Sequence, residues 1–244
     1  MVPPHELNKI KRKVDERPDA RKLFLLYEGT NTEPSFLRGI LTLSNYIDND
    51  NVAFFDVSRT GDDFGHNSFS DLVNYGLQII SNKTSLTENS KFKKRYDKVV
   101  IFFDLDRYHK EIGSIKNKIN QYKDNMIFVY TNPAIELFLL LCTGPYAYEK
   151  FVENSISDIL ENKIIDGKRY INHLFQKATG LDPKNARTDF SSLYPNLQDA
   201  INQEKIHIKQ KLTDADKYLI SNFGYFLCQI KNNNFDNITY DLFN

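Results

Sequence analysis

Three acids stand where an open α/β sheet would present them to a ligand. Glu28 follows the apolar run KLFLLY, and Asp104 and Asp106 close the run KVVIFFDLD. Alternate residues of a strand point the same way, so Asp104 and Asp106 would project to one side. If the two strands are near neighbours, Glu28 faces that pair. Carboxylates held so close repel unless a proton or a cation neutralises them. Oxygen-only ligands at a loop edge suit Mg²⁺ or Mn²⁺ and not a typical zinc site. Such an ion could clamp a phosphodiester and activate a water. A bare DxD reads equally as helix capping or a solvent-facing pair. The metal reading gains from the whole arrangement, an acid-Gly after one strand and DxD after a later one.

The elements that would position these acids alternate along the chain. Strands are predicted at Lys22–Tyr27, Asn51–Arg59, Lys98–Asp106 and Asn125–Tyr130. Helices are predicted from Thr32, a plausible N-cap with Pro34 in the first turn, to about Ser44, and over Phe69–Ser81 and Glu111–Tyr122. A further helix starts at Pro133. This alternation argues for an α/β fold with an open, mostly parallel sheet flanked by helices. In such sheets function collects at the carboxyl ends of the strands. After Gly144 the pattern turns helical, with candidates at Tyr148–Leu160, Tyr170–Lys177, Leu197–His207 and Ala215–Ile230. The expected organisation is an N-terminal arm (1–20), an α/β catalytic domain (21–144) and a C-terminal helical extension (145–244).

The same residues resemble a known family. The order of acids is similar to that of the Toprim domain, the metal-dependent catalytic fold of topoisomerases, primases and several nucleases. The closer resemblance is to the RloB-like Toprim proteins of bacterial defence loci. These carry an "EG..TEP.F" segment after the first strand, matched here by Glu28, Gly29, Thr32, Glu33, Pro34 and Phe36. They carry an acidic pair after a later strand, matched by Asp104 and Asp106. They continue with an "NP.(F)E(L)" segment, matched by Asn132, Pro133, Glu136 and Leu137. Ala134-Ile135 and Phe138 depart from the family pattern, as packing changes. The resemblance covers roughly residues 22–144.

It implies a Toprim-like fold, with Glu28 as principal metal ligand or acid/base residue and Asp104 and Asp106 as metal ligands. Glu33 becomes a second-metal ligand or, the reading placed ahead, a helix cap. Glu136 is either a dipole complement or a site residue, and Asn132 would orient it. A related effector in the PARIS antiphage system stands beside an ABC-type ATPase that restrains it, which implies a similar partner here. A homodimer is a family-based expectation too.

Composition narrows the field. Lys+Arg and Asp+Glu both number 32, so the net charge is zero and bulk electrostatic coating of nucleic acid is excluded. A nucleic-acid substrate then needs local cations beside the acids. Arg107 and Lys110, just after DxD, are the candidates, with the run KFKKR (Lys91–Arg95) behind them. Other basic groups lie in the arm (Lys9, Lys11, Arg12, Lys13) and at Lys184, Arg187 and Lys205. His66 and His109 offer a proton-shuttle role, but the reading as ordinary surface histidines is placed ahead. Cys142 and Cys228 sit in apolar runs and read as small buried hydrophobes of a reducing compartment.

There is no GxxxxGK[ST] and no GxGxxG, so ATP hydrolysis by this chain itself is not expected. No apolar stretch is long enough to span a bilayer, and the first residues lack a signal-like apolar region, so no membrane association and a cytoplasmic location are expected. The leading expectation is a Mg²⁺-dependent endonuclease, effector of an antiphage system, with RNA or tRNA slightly preferred over DNA. The alternatives are a non-enzymatic scaffold that binds a partner ATPase or a phage trigger protein, and phosphoryl or nucleotidyl transfer on a small molecule.

Overall fold

The structure, a computed structural model, describes residues 7–9, 20–43, 52–57, 68–83, 91–106, 108–215 and 217–235. Arg107, His66, the side chain of His109 and most of the N-terminal arm lie outside the described residues. The strands are β1 (Leu7–Lys9), β2 (Arg21–Tyr27), β3 (Val52–Val57), β4 (Lys98–Asp104), β5 (Met126–Asn132), β6 (Ile164–Ile165), β7 (Lys168–Arg169) and β8 (Ile220–Ser221). The α-helices are α1 (Thr32–Thr42), α2 (Phe69–Ile80), α3 (Ile112–Tyr122), α4 (Glu136–Leu141), α5 (Ile156–Glu161), α6 (Tyr170–Thr179), α7 (Leu197–His207) and α8 (Phe223–Lys231).

The fold is α/β. Six strands form one sheet in the order β1-β3-β2-β4-β5-β8. Neighbours from β3 to β5 pair in parallel, and the edge strands β1 and β8 run antiparallel. This is the open, mostly parallel arrangement predicted, and it is consistent with a Toprim-like sheet. The predicted arm contributes Leu7–Lys9 as the short edge strand.

The central strands are apolar on both faces because both faces are covered. In β2, Leu23, Leu25 and Tyr27 enter one core while Phe24 and Leu26 enter the other. In β4, Val100 and Phe102 alternate in the same way with Val99, Ile101 and Phe103. One face is covered by Leu72 and Val73 of α2 and Ile115 and Ile119 of α3. The other is covered by Phe36 and Ile40 of α1, by α4, and by Phe175, Leu197 and Phe226 of the C-terminal helices. Residues beyond 145 therefore share a core with the sheet.

Phe223 makes this continuity concrete. It is 2% exposed and its ring lies 5.0 Å from that of Phe138 and 5.8 Å from that of Phe102. Burying a side chain of that size contributes about 2–3 kcal/mol.

Several predicted helix starts move. The helix expected from Pro133 begins at Glu136. The one expected over Tyr148–Leu160 opens with a π turn and a 3-10 turn and becomes α-helical only at Ile156. Asn31, not Thr32, occupies the N-cap position of α1, and the Thr32 hydroxyl instead donates to the Pro183 carbonyl at 2.7 Å. The predicted helix Ala215–Ile230 begins only at Phe223. Asn222 prevents an earlier start by acting as a strand partner: its side chain accepts from the Tyr130 N–H (2.8 Å) and donates to the Phe128 carbonyl (2.9 Å). The residues before it become β8, paired with Thr131 and Asn132.

Candidate metal centre at the strand ends

Register places the acids together. β2 and β4 are adjacent, with Tyr27 opposite Phe102. The ladder continues one step past the strand, because the Glu28 N–H donates to the Phe102 carbonyl at 2.9 Å. Glu28 is thereby fixed against β4. Its Oε2 accepts from the Asp104 N–H (3.1 Å) and its Oε1 from the Tyr108 hydroxyl (3.3 Å). The same hydroxyl accepts from the Phe69 N–H at 3.0 Å, tying Glu28 to the start of α2.

Asp104 ends β4. Its Oδ1 accepts from the Thr131 hydroxyl (2.9 Å) and the Ile135 N–H (3.0 Å), which orient the carboxylate. A small pocket lined by Glu33, Asp104, Thr131, Ile135 and Phe223 opens beside it. Burial pushes the Asp104 carboxyl well above the usual aspartate range. The fields of Glu33, Glu136 and Glu28 push it further up, and Lys184 opposes them.

Glu33 and Glu136, each in the first turn of its helix, face this same point. Glu33 is 4% exposed, and its Oε1 accepts from the Gly29 N–H at 3.2 Å. It therefore tethers the loop as a cap would, and also adds its charge to the site. A β-carbon at position 29 would overlap the Glu33 carboxylate, which explains the glycine after Glu28. Burial raises the Glu33 carboxyl; Lys184 lowers it and Glu136 raises it again.

Glu136 is fully buried, and its Oε1 lies 2.7 Å from the Lys184 ammonium. Its Oε2 receives no hydrogen bond from the described residues. The Lys184 stem is half exposed while its head reaches inward. Desolvation alone would lower the ammonium pKa, but Glu136, Glu33 and Asp104 together raise it.

Asp106 is held apart from this cluster. Its Oδ2 takes an ion pair from Arg169 Nη1 and a longer hydrogen bond, 3.4 Å, from Asn162 Nδ2. Asn132 does not orient Glu136: its amide donates to the carbonyls of Ala215 (2.8 Å) and Tyr218 (3.2 Å) and so anchors the β8 segment. Lys110 is exposed on a short 3-10 turn, His109–Glu111. The run Lys91–Arg95 lies at the opposite end of the sheet. Asp97, two residues beyond it, accepts from the backbone N–H of Lys22, at the start of β2, and of Lys93. The length of β4, about 20 Å, separates that run from the acids.

Sequence reasoning missed Asn162, Arg169 and Tyr108 and did not single out Lys184. One signal was available. Asp166-Gly167 is a two-residue hairpin turn with both φ values positive (49° and 77°), and it sets β7 and hence Arg169 in register.

The donor set fits a divalent cation in chemistry. Every ligand candidate is an oxygen, Asp104 and Glu33 are disfavoured in their charged forms, and Glu136 has an orphaned buried oxygen. Lys184 is the cation that now balances them. Among the described residues no three acidic, histidine or cysteine side chains converge at ligand spacing.

An open α/β sheet with buried acids at its carboxyl edge defines the class. A family model described as RloB-like protein matches residues 23–230, and the chain belongs to that family. The match runs through the helical residues as well as the sheet, beyond the segment that carries the resemblance. No curated protein and no solved structure gives a significant match. Among the described residues, no helix is long and apolar enough to cross a membrane.

Proposed function

We propose that the protein is a Toprim-type, Mg²⁺- or Mn²⁺-dependent endonuclease and the toxic effector of an antiphage system. The observation that carries this reading is the gathering of Asp104, Glu33 and Glu136 around one ammonium, with Glu28 bonded to the Asp104 backbone. Buried acids gathered at a ligand-binding edge have to be neutralised by a proton or a cation, and a divalent ion suits an all-oxygen set. Glu28 and Asp104 would hold the ion, with Glu33 and Glu136 completing its oxygen shell. The bound ion supplies Lewis-acid polarisation of a phosphodiester and a water of lowered pKa. RNA, including tRNA, is preferred over DNA as substrate, and an ABC-type ATPase is the proposed restraining partner.

A second reading, a non-enzymatic scaffold, draws on one observation: Lys184 already occupies the cation position and Arg169 already neutralises Asp106. Induced expression in bacteria separates the two. Toxicity with fragmented RNA or DNA on gels, abolished by Glu28→Ala, supports the nuclease. Equal growth and intact nucleic acid with both chains, in cells lacking any partner ATPase, favours the scaffold.

A further inference from the structure

The acids create a problem that the proposed reaction must solve. A polyanion approaching this edge meets carboxylates, so a cation has to stand at the rim. Lys184 points inward to the fully buried Glu136. Lys168 is engaged with Asp182 (2.9 Å) and Gln176 (2.7 Å). Arg169 differs. Asp106 is the only partner of its guanidinium among the described residues, and that pair uses Nη1 alone. The Arg169 side chain is 37% exposed and the Asp106 carboxylate that it pairs with is 8% exposed, so the guanidinium keeps contact with solvent while it is held.

The local structure fixes that guanidinium in advance. Arg169 closes a hairpin whose turn, Asp166-Gly167, adopts the positive φ values a two-residue loop requires. Asn162, left-handed at φ 43°, ends α5. Its Oδ1 accepts from the Ile171 N–H (3.1 Å) at the start of α6, while its Nδ2 reaches Asp106. Hairpin, helix start and loop acid are thus joined around one side chain. A planar fork held at one nitrogen by a carboxylate and still partly exposed is pre-organised for further contact with a phosphate.

We propose that Arg169 is the substrate-phosphate clamp of this centre and that Asp106, the second acid of DxD, is its positioning residue. The proposal rests on the nuclease reading and adds a phosphate subsite at the rim, supplied by the C-terminal half of the chain.

The test is equilibrium binding of a labelled single-stranded oligonucleotide, RNA and DNA separately, to the full chain over a salt series, with Ca²⁺ to suppress turnover. Arg169→Ala is expected to bind about tenfold or more weakly, as for loss of a charged hydrogen-bond donor. Its log affinity–log salt slope should be shallower by about 0.7, the value for one phosphate contact on a single strand. Arg169→Lys should restore the slope but only part of the affinity. Asp106→Asn should weaken binding while leaving the slope near wild type, because the clamp is loosened and not removed. Mn²⁺ binding by calorimetry should be unchanged in Arg169→Ala.

Wild-type affinity and slope in Arg169→Ala would overturn the clamp and leave the nuclease reading standing. So would a loss of affinity at unchanged slope, accompanied by a lowered melting temperature or lost Mn²⁺ binding, which is the signature of a purely structural latch. A wild-type chain that binds neither nucleic acid would overturn clamp and nuclease together.

Discussion

Replacing Lys184 by Met removes the cation that faces the acid cluster and tests how that cluster is balanced. The ammonium lies 2.7 Å from a carboxylate that is fully buried. Removing one partner of a buried pair typically costs about 3–5 kcal/mol, because the other charge is left uncompensated. The Lys184 side chain is 52% exposed, so solvent screens the pair and the figure falls to roughly 1–3 kcal/mol. For a chain of this size that corresponds to a Tm lower by roughly 3–10 °C, read by thermal melting at pH 7.5 in EDTA.

The pH dependence has a definite sign. Asp104 and Glu33 have folded pKa values raised above their ordinary ones, so their contribution to stability is fully present below about pH 4 and is lost as pH rises through the raised values. Lys184 holds both values down. In Lys184→Met they rise further, so the decline in stability with pH becomes larger and extends to higher pH. Mg²⁺ or Mn²⁺ should restore part of the lost stability at pH 7.5 and little at pH 4. A variant as stable as wild type across this range, with or without the metal, would refute the electrostatic account of the site.

Asp104→Asn should keep the Oδ1 contacts from Thr131 and Ile135 while deleting a charge that burial disfavours. The variant should therefore be more stable than wild type in EDTA at pH 7.5, by about 1 kcal/mol, and should lose metal-induced stabilisation in the same melting assay. Glu204, fully buried, accepts from the Ser221 hydroxyl (2.5 Å) and the N–H groups of Gly224 (3.0 Å) and Tyr225 (2.9 Å). Glu204→Ala strands these donors at the start of α8 and should cost about 3 kcal/mol in urea unfolding, with Glu204→Gln costing less.

The strands were legible because a strand buried on both faces must be an unbroken apolar run, and Lys22–Tyr27 and Lys98–Phe103 are such runs. Their adjacency, and with it the meeting of Glu28 and Asp104, was only a condition in the sequence, because parallel alternation does not fix strand order; the structure supplies it. The site's cations were less legible. Lys184 and Arg169 reach the acids from segments far along the chain, through a loop and a two-residue hairpin turn that carry no apolar period. The run Lys91–Arg95 misled in the opposite sense: it is near DxD in sequence, but a full strand length lies between them. Glu33 illustrates why capping and site readings need not compete. One carboxylate both holds the Gly29 N–H and contributes charge to the cluster, and sequence cannot distinguish one role from two.

The most direct test of the central claim is cleavage of labelled RNA and DNA by the purified chain, wild type against Glu28→Ala, in Mg²⁺, Mn²⁺ or EDTA. The expected result is metal-dependent cleavage by wild type, none in EDTA, and none by a Glu28→Ala chain that melts as a folded protein. Cleavage retained by Glu28→Ala, or undiminished in EDTA, would contradict the assignment of these acids to a metal-dependent nuclease centre.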